Sequence, residues 1–247
     1  MARKGQNRKQ KRLSVGTVRQ LLRKDYTWTI RAKPGTHKGL TSIPLGFVVR
    51  DMLNLTKTAK ETKHILNKGM VHVDGMVRKE HQFPLGLFDS VSIPTTKKNY
   101  RLMLDTKGRL KLHEISDAQL KQKPVKVVHK RIGKGKVLTI QTHDGKTFRG
   151  AQNAVHVDDS VMVPMKGNTI EGHMPLQSGS RVYITGGKHV GEVAQIAGIV
   201  EGTMKRNKLV NLTEGKEKFQ TTIQNVMVIN DDVANWIKTA HAGGKTA

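Results

Sequence analysis

The sequence predicts an α+β chain of several small domains behind a long basic N-terminal extension. Three observations predict it. Helical and alternating apolar patterns follow one another in short runs. Aromatic residues make up only 4% of the chain, too few for one large core. Lys and Arg number 44 against 19 Asp and Glu, a net charge of +25, densest where apolar residues are scarcest.

Residues 1–41 form the basic extension. Arg3, Lys4, Arg8, Lys9, Lys11 and Arg12 stand among almost nothing apolar, so this stretch is expected to be extended unless a partner orders it. Val18, Leu21 and Leu22 share a face and predict a short helix over Val15–Lys24. Pro34, Gly35 and Gly39 mark a loop that carries Lys38.

Residues 42–95 read as one small α+β domain. Pro44 suits the first position of a helix, and Leu45, Val48, Val49, Met52 and Leu53 recur at helical spacing, with Arg50 outside that stripe. Thr58 and Glu61 match a capping box that opens a second helix. Its buried face is Thr62, Ile65 and Leu66, and Gly69 stops it. Asp74-Gly75 between alternating runs signals a hairpin, and Asp89–Ile93 reads as a further strand.

Residues 96–173 read as a β-rich central domain. Short strands are expected near Tyr100–Leu104, Leu110–His113, Val125–Val128, Val137–Gln141, Phe148–Arg149 and Val161–Met165. Turns fall at Asp105–Gly108, His143–Gly145 and Lys166–Asn168, with a short helix after Ser116. The spacing suits a small barrel or half-open sheet. Residues 174–232 give a second β domain: a strand at Arg181–Thr185, a tight loop at Gly186-Gly187-Lys188-His189, a return over Val190–Ile196, and later strands to Ile229. Residues 233–247 are expected to be a tail, mobile from Thr239 onward.

The charge implies a polyanionic partner. No run approaches the roughly 20 apolar residues of a membrane span, and no signal peptide opens the chain, so nucleic acid is favoured over membrane. The absence of Cys excludes disulfide scaffolds, zinc ribbons and Cys nucleophiles. Gly145-Lys146-Thr147 and Gly244-Lys245-Thr246 lack the first glycine of a P-loop, with Ile140 and Thr239 in its place. No two His are three or four apart, so no helical metal site is signalled. Asp158-Asp159 and Asp231-Asp232 read as solubilising loop charges. No enzyme activity, cofactor, metal or small-molecule substrate is expected.

Lys57, Lys60, Lys63, His64 and Lys68 line the capped helix, and Arg78 and Lys79 follow the hairpin. Such a face could grip RNA phosphates; a merely solvated helix face is the alternative. The order Ala59, His64-Ile65-Leu66-Asn67-Lys68-Gly69-Met70-Val71-His72-Val73-Asp74-Gly75, Pro84, Asp89-Ser90-Val91 resembles the alpha-L RNA-binding motif. Family members often carry Arg in that second helix, where this chain has Lys and His. Val182-Tyr183-Ile184-Thr185-Gly186-Gly187-Lys188-His189-Val190-Gly191-Glu192-Val193 resembles the KOW motif, with Gly186 and Gly187 free to take positive φ and Lys188 at the tip. An ordinary glycine-rich hairpin is the alternative there.

Both motifs in this order, with Thr36-His37-Lys38, Asp105-Thr106-Lys107-Gly108-Arg109 and Thr142-His143-Asp144-Gly145, resemble the archaeal and eukaryotic type of small-subunit ribosomal protein four over nearly the whole chain. The stop soon after Trp236 favours an archaeal source. The resemblance implies an alpha-L domain, a central domain and an SH3-like KOW barrel. It implies a cytoplasmic constituent of the small ribosomal subunit, not a homo-oligomer, bound to ribosomal RNA and neighbouring proteins. The alternative is a non-ribosomal RNA-binding factor, either a KOW-type transcription factor or an RNA-modifying enzyme carrying an alpha-L domain.

Overall fold

In a computed structural model of the chain, residues 9–150, 154–165, 167, 169–204, 206–215 and 217–242 are described. Arg3, Lys4 and Arg8, most of the expected turn at 166–168, and the tail residues 243–247 lie outside them.

The helix expected over Val15–Lys24 does not form. Strands β1 (Gln10–Lys11) and β2 (Trp28–Thr29) pair antiparallel, and the chain between them loops around arginines. Arg12 turns inward, donating to the Leu22 carbonyl (2.6 Å) and lying 3.3 Å from Asp25. Arg19 is buried and donates to the carbonyls of Ser42 (3.0 Å) and Ile30 (3.1 Å). Burial lowers its pKa to about 10, which leaves it charged at neutral pH. The Val18 carbonyl accepts from the Leu110 amide (3.0 Å), an acceptor no helix could then use.

Strand β3 (Ile43–Pro44) pairs with β6 (Pro84–Leu85). Helix α1 (Leu45–Phe47) continues as a π-turn over Val48–Met52, where the Leu53 amide reaches the Val48 carbonyl (2.9 Å). Leu45, Val48 and Val49 are buried as the spacing requires, and Asn54 breaks the run at φ 50°. Helix α2 (Ala59–Asn67) opens on the capping box of Thr58 and Glu61. It closes on Gly69 at φ 74°, with the Gly69 amide on the Leu66 carbonyl and the Met70 amide on that of Ile65. Leu66 is fully buried, worth about 2 kcal/mol of transfer free energy.

Strands β4 (His72–Val73), β5 (Met76–Val77), β7 (Ser90–Ile93), β8 (Lys98–Leu104) and β9 (Leu110–Glu114) form one antiparallel sheet in the order β5-β4-β7-β8-β9. The sheet runs across the expected boundary between residues 95 and 96. After α3 (Asp117–Leu120), strand β10 (Gln122–Ile132) pairs with β13 (Ser160–Pro164) along one half and β11 (Leu138–Thr142) along the other. A register shift between Val127 and His129 turns it from one partner to the other. With β12 (Thr147–Arg149) and β14 (Gly172–Met174) this is the central sheet.

The third sheet has the order β18-β17-β16-β15-β19, from β15 (Arg181–Ile184), β16 (Val193–Val200), β17 (Leu209–Glu214), β18 (Glu217–Thr222) and β19 (Val226–Val228). Two expectations near the end are corrected. Residues Asp231–Ala242 form helix α4, with Val233, Ala234 and Ile237 buried, so the segment up to Ala242 is not a loose tail. Its first turn holds Asp231 and Asp232, acids that suit a helix N-terminus, and Asp231 pairs with Arg181 at 3.0 Å. Likewise Asp159 is buried, accepting from the amides of His156 (2.8 Å) and Leu176 (2.9 Å), and Asp158 pairs with Lys126. Neither acid pair is merely a set of solvated loop charges.

The expectation of separate small cores also fails. One apolar cluster runs from Ile43 to Ile237, joining the first and third sheets, while Val125, Val127, Ile140, Phe148 and Val163 belong to a second. Tyr183 is the joint: it packs on Phe88, and its buried hydroxyl both donates to the Leu104 carbonyl and accepts from the Leu104 amide, each at 3.1 Å. Aliphatic side chains from two sheets fill what few aromatics could not. No helix among the described residues is long and apolar enough to cross a membrane.

Candidate nucleic-acid interface

Helix α2 sorts its residues by face. Thr62 and Leu66 point inward, and the Thr62 and Thr56 hydroxyls lie 2.8 Å apart. The outer face is left with Lys60, Lys63, His64 and Lys68, all exposed, with Lys57 just ahead of the cap. Glu61 is the acid nearest this stripe, and it is tied up: its carboxylate accepts from the amides of Lys57 (2.9 Å) and Thr58 (3.3 Å). Those amides hold its carboxyl below the usual range. The carboxylate is therefore held ionised and turned onto the amides at the helix's own start. Arg50 on the preceding helix is less available, since its guanidinium grips Asp51 at 2.8 Å.

The hairpin turn has φ of 48° at Asp74 and 73° at Gly75, the two left-handed residues a tight type I′ turn needs. Beyond it Arg78 is half-buried over the Phe83 ring (4.6 Å), and Lys79 is exposed.

At the glycine loop of the third sheet, Gly187 has φ 101°, but Gly186 does not take positive φ as expected. Gly186 is needed for closeness: a Cβ there would sit 3.0 Å from the Asn225 side chain. Gly191 does let the returning chain pass close, since a Cβ there would lie 2.9 Å from the Asp105 carbonyl. Lys188 is exposed at the tip. His189 turns inward, 2.8 Å from Glu192 and stacked on Phe219 (4.1 Å). His189, Glu192 and Glu214 bring ligand atoms within 4.8 Å of one another, a set that could hold a cation. Burial, and then the charge of Glu192, raises the Glu214 pKa. His–His spacing could not signal this group, because it holds a single histidine and its third member comes from another part of the chain.

Of the predicted residues in the extension, Lys11 and Lys38 are exposed, and Lys9 lies 5.6 Å over the Trp28 ring. Arg12 is committed to the fold, as described above. The end of α2 lies beside the hairpin, where a Cβ at Gly69 would come 3.2 Å from Val77, while the loop tip belongs to the third sheet.

The most concentrated charge is internal and was not foreseen as a unit. Lys123 of β10 is buried with its ammonium on Asp74 (2.8 Å), Asp89 and Asp144 (3.3 Å). Burial alone would lower the Lys123 pKa, but the three carboxylates hold it above its usual range. Burial alone would raise that of Asp89, but Lys123 and His37 hold it well below. His37 Nε2 lies 2.9 Å from Asp89, without an aligned hydrogen bond. His37 fits because residue 86 is glycine, where a Cβ would come within 2.3 Å of the ring. His143 lies beside the node, with Nδ1 accepting from the Lys126 amide (3.1 Å). Burial, and then Lys123, lowers its pKa to about 4. The node ties the extension to the first and central sheets. Its members lie within the stretches around His37, Asp74, Asp89 and Asp144 that marked the family resemblance; Lys123 is the partner they share.

The description "Ribosomal family S4e" matches residues 96–170. Over 240 residues the chain is 35% identical to small ribosomal subunit protein eS4 of Methanocaldococcus jannaschii, covering 94% of this chain and 98% of that protein. The chain belongs to the ribosomal S4e family. The eS4 protein of Methanococcus vannielii is 34% identical over the same length. A crystal structure of 30S ribosomal protein S4e from Thermoplasma acidophilum superposes with a TM-score of 0.67 at 30% identity, covering 77% of this chain and 95% of that one. The S4e-matched stretch spans β8 to β13, and so holds both Lys123 and Asp144.

Proposed function

We propose that this chain is a structural constituent of the small ribosomal subunit, in the cytoplasm, where it binds ribosomal RNA beside neighbouring ribosomal proteins. The observation that carries this is the 35% identity to a small-subunit protein along 94% of the chain. It is not an enzyme; the family is one of ribosomal proteins.

We assign residues 42–95 to an alpha-L type domain, 96–173 to a central β-rich domain and 174–232 to an SH3-like KOW barrel, flanked by the extension 1–41 and the terminal segment 233–247, with β8 and β9 of the second stretch completing the sheet of the first. The capped α2 and its type I′ hairpin support the first assignment; the five-stranded antiparallel third sheet with its glycine loop supports the last. The RNA contacts are assigned to Lys57, Lys60, Lys63, His64, Lys68 and Lys79, to Lys188, and to the basic extension. Basic side chains along one exposed face suit phosphate positioning and carry no sequence readout.

The test is sedimentation with the small subunit on a sucrose gradient. One copy per subunit is expected, with release as salt rises. Six or more phosphate contacts would cost roughly 10³-fold in affinity between about 50 and 200 mM salt. Sub-stoichiometric presence, or a flat salt response, would overturn the assignment.

A further inference from the structure

A concave region of about 2260 Å³ lies between the extension, the central sheet and the third sheet. Small-molecule pockets are typically about 300–1,000 Å³, so this cleft has room for a length of polymer. Its lining includes Lys11, Arg31, Lys33, Lys38 and Lys126, and no Asp or Glu. Two of these cations are engaged elsewhere: Lys33 with Glu80 (2.7 Å), and Lys126 with the carbonyls of Ile223 (2.7 Å) and Val226 (2.8 Å). Lys11, Arg31 and Lys38 have no ion pair among the described residues.

The cleft also holds Trp28, a residue 51% exposed, with the Lys9 ammonium 5.6 Å from the ring centroid. An indole left half in water on a loop-bound strand contributes little to a core. It offers an apolar plane beside positive charge. The lining also carries Gln141, Gln224 and Asn225, uncharged groups able both to donate and to accept.

We propose that this cleft binds a single-stranded RNA segment, with one base stacked on Trp28 and its phosphates along Lys11, Arg31 and Lys38. This rests on the RNA-binding reading above and adds a ligand class that α2 does not imply: an unpaired strand in place of a duplex groove. A base inside a helix has both faces covered by its neighbours, so only an unstacked base can lie on a side chain. A basic groove with an aromatic plane is how proteins hold single strands without regard to sequence. The side-chain amides would meet base edges.

The experiment uses the full chain, a labelled oligoadenylate of about eight nucleotides, matched to the usual single-strand site size, and an RNA duplex of equal length. Trp28→Ala is expected to weaken oligoadenylate binding about tenfold or more, the order of one lost base stack, and to leave duplex binding unchanged. Trp28→Phe, which keeps an aromatic plane, should restore most of the affinity. Arg31→Glu with Lys38→Glu should flatten the salt dependence for the oligonucleotide, by roughly 0.7 in log–log slope per lost contact. Oligoadenylate affinity of Trp28→Ala within about twofold of the parent overturns the proposal. So does an equal loss for strand and duplex. If the parent chain sediments with the small subunit but Trp28→Ala binds the oligonucleotide normally, the cleft assignment alone fails. If the parent does not sediment with it, the ribosomal reading itself fails.

Discussion

Lys123 and the lysines of α2 are the same residue in opposite settings. Lys123 is fully buried among three carboxylates drawn from two sheets. Lys60, Lys63 and Lys68 stand in water along a helix whose nearest acid is occupied by its own cap. The first is held inside the fold; the others face solvent, where the proposed RNA contact would use them. A net charge of +25 counts both alike. Only the structure divides it into charge that holds the molecule together and charge that faces outward.

The division is tested most strongly at the buried end. Lys123→Met leaves Asp74, Asp89 and Asp144 facing one another without their cation. Breaking a buried pair from one side costs about 3–5 kcal/mol, so Tm by calorimetry should fall by roughly 10 °C. A loss under about 1 kcal/mol would mean that water reaches the node.

His143 gives the same region a pH signature. Its folded pKa of about 4 lies below the ordinary value of 6.5, so the unfolded chain binds the proton first. Its contribution is complete above about pH 6.5 and is lost as pH falls toward 4, on the order of 2–3 kcal/mol. Urea midpoints for His143→Asn, which keeps an acceptor for the Lys126 amide but cannot titrate, should fall less steeply between pH 7 and 4.5 than those of the parent. The Asp89 carboxyl, held low, adds its own loss only below about pH 4.

Gly86→Ala probes how the extension is locked in, since the new methyl would displace the His37 ring. An expected cost of about 1–3 kcal/mol should come with protease sensitivity confined to residues ahead of Ser42. Global unfolding without that early cleavage would place the lock elsewhere. The smallest stability change is expected outside: Lys60→Glu with Lys63→Glu should change the unfolding free energy by no more than about 0.5 kcal/mol yet weaken subunit incorporation. Normal incorporation would mean the α2 face is only solvated.

The sequence carried those parts of the fold whose cause is local. Thr58 and Glu61 cap a helix wherever they stand three apart before an apolar stripe, and Asp74-Gly75 forms the hairpin turn by its own backbone preference. What was missed depends on residues far apart in the chain. Val15–Lys24 has helical spacing, but Arg23, the Leu110 amide and Arg12 take the carbonyls of Val15, Val18 and Leu22. The C-terminal helix hid behind two acids that read as a loop. The buried node was invisible because each member looks like an ordinary surface charge until β10 brings Lys123 to it. For the site, exposure was read well for α2 and Lys188, and poorly for Arg12 and His189, whose partners lie 13 and 3 residues away.

The shared core from Ile43 to Ile237 also sets an order of events during synthesis. Arg101 in the first sheet is buried, and its guanidinium stacks 4.9 Å from Trp236 of α4. A chain that has already made β9 therefore still lacks the helix that closes over this region. At roughly 5–20 residues per second, the interval before Trp236 appears is on the order of ten seconds. Through that time the nascent first sheet keeps an apolar flank uncovered.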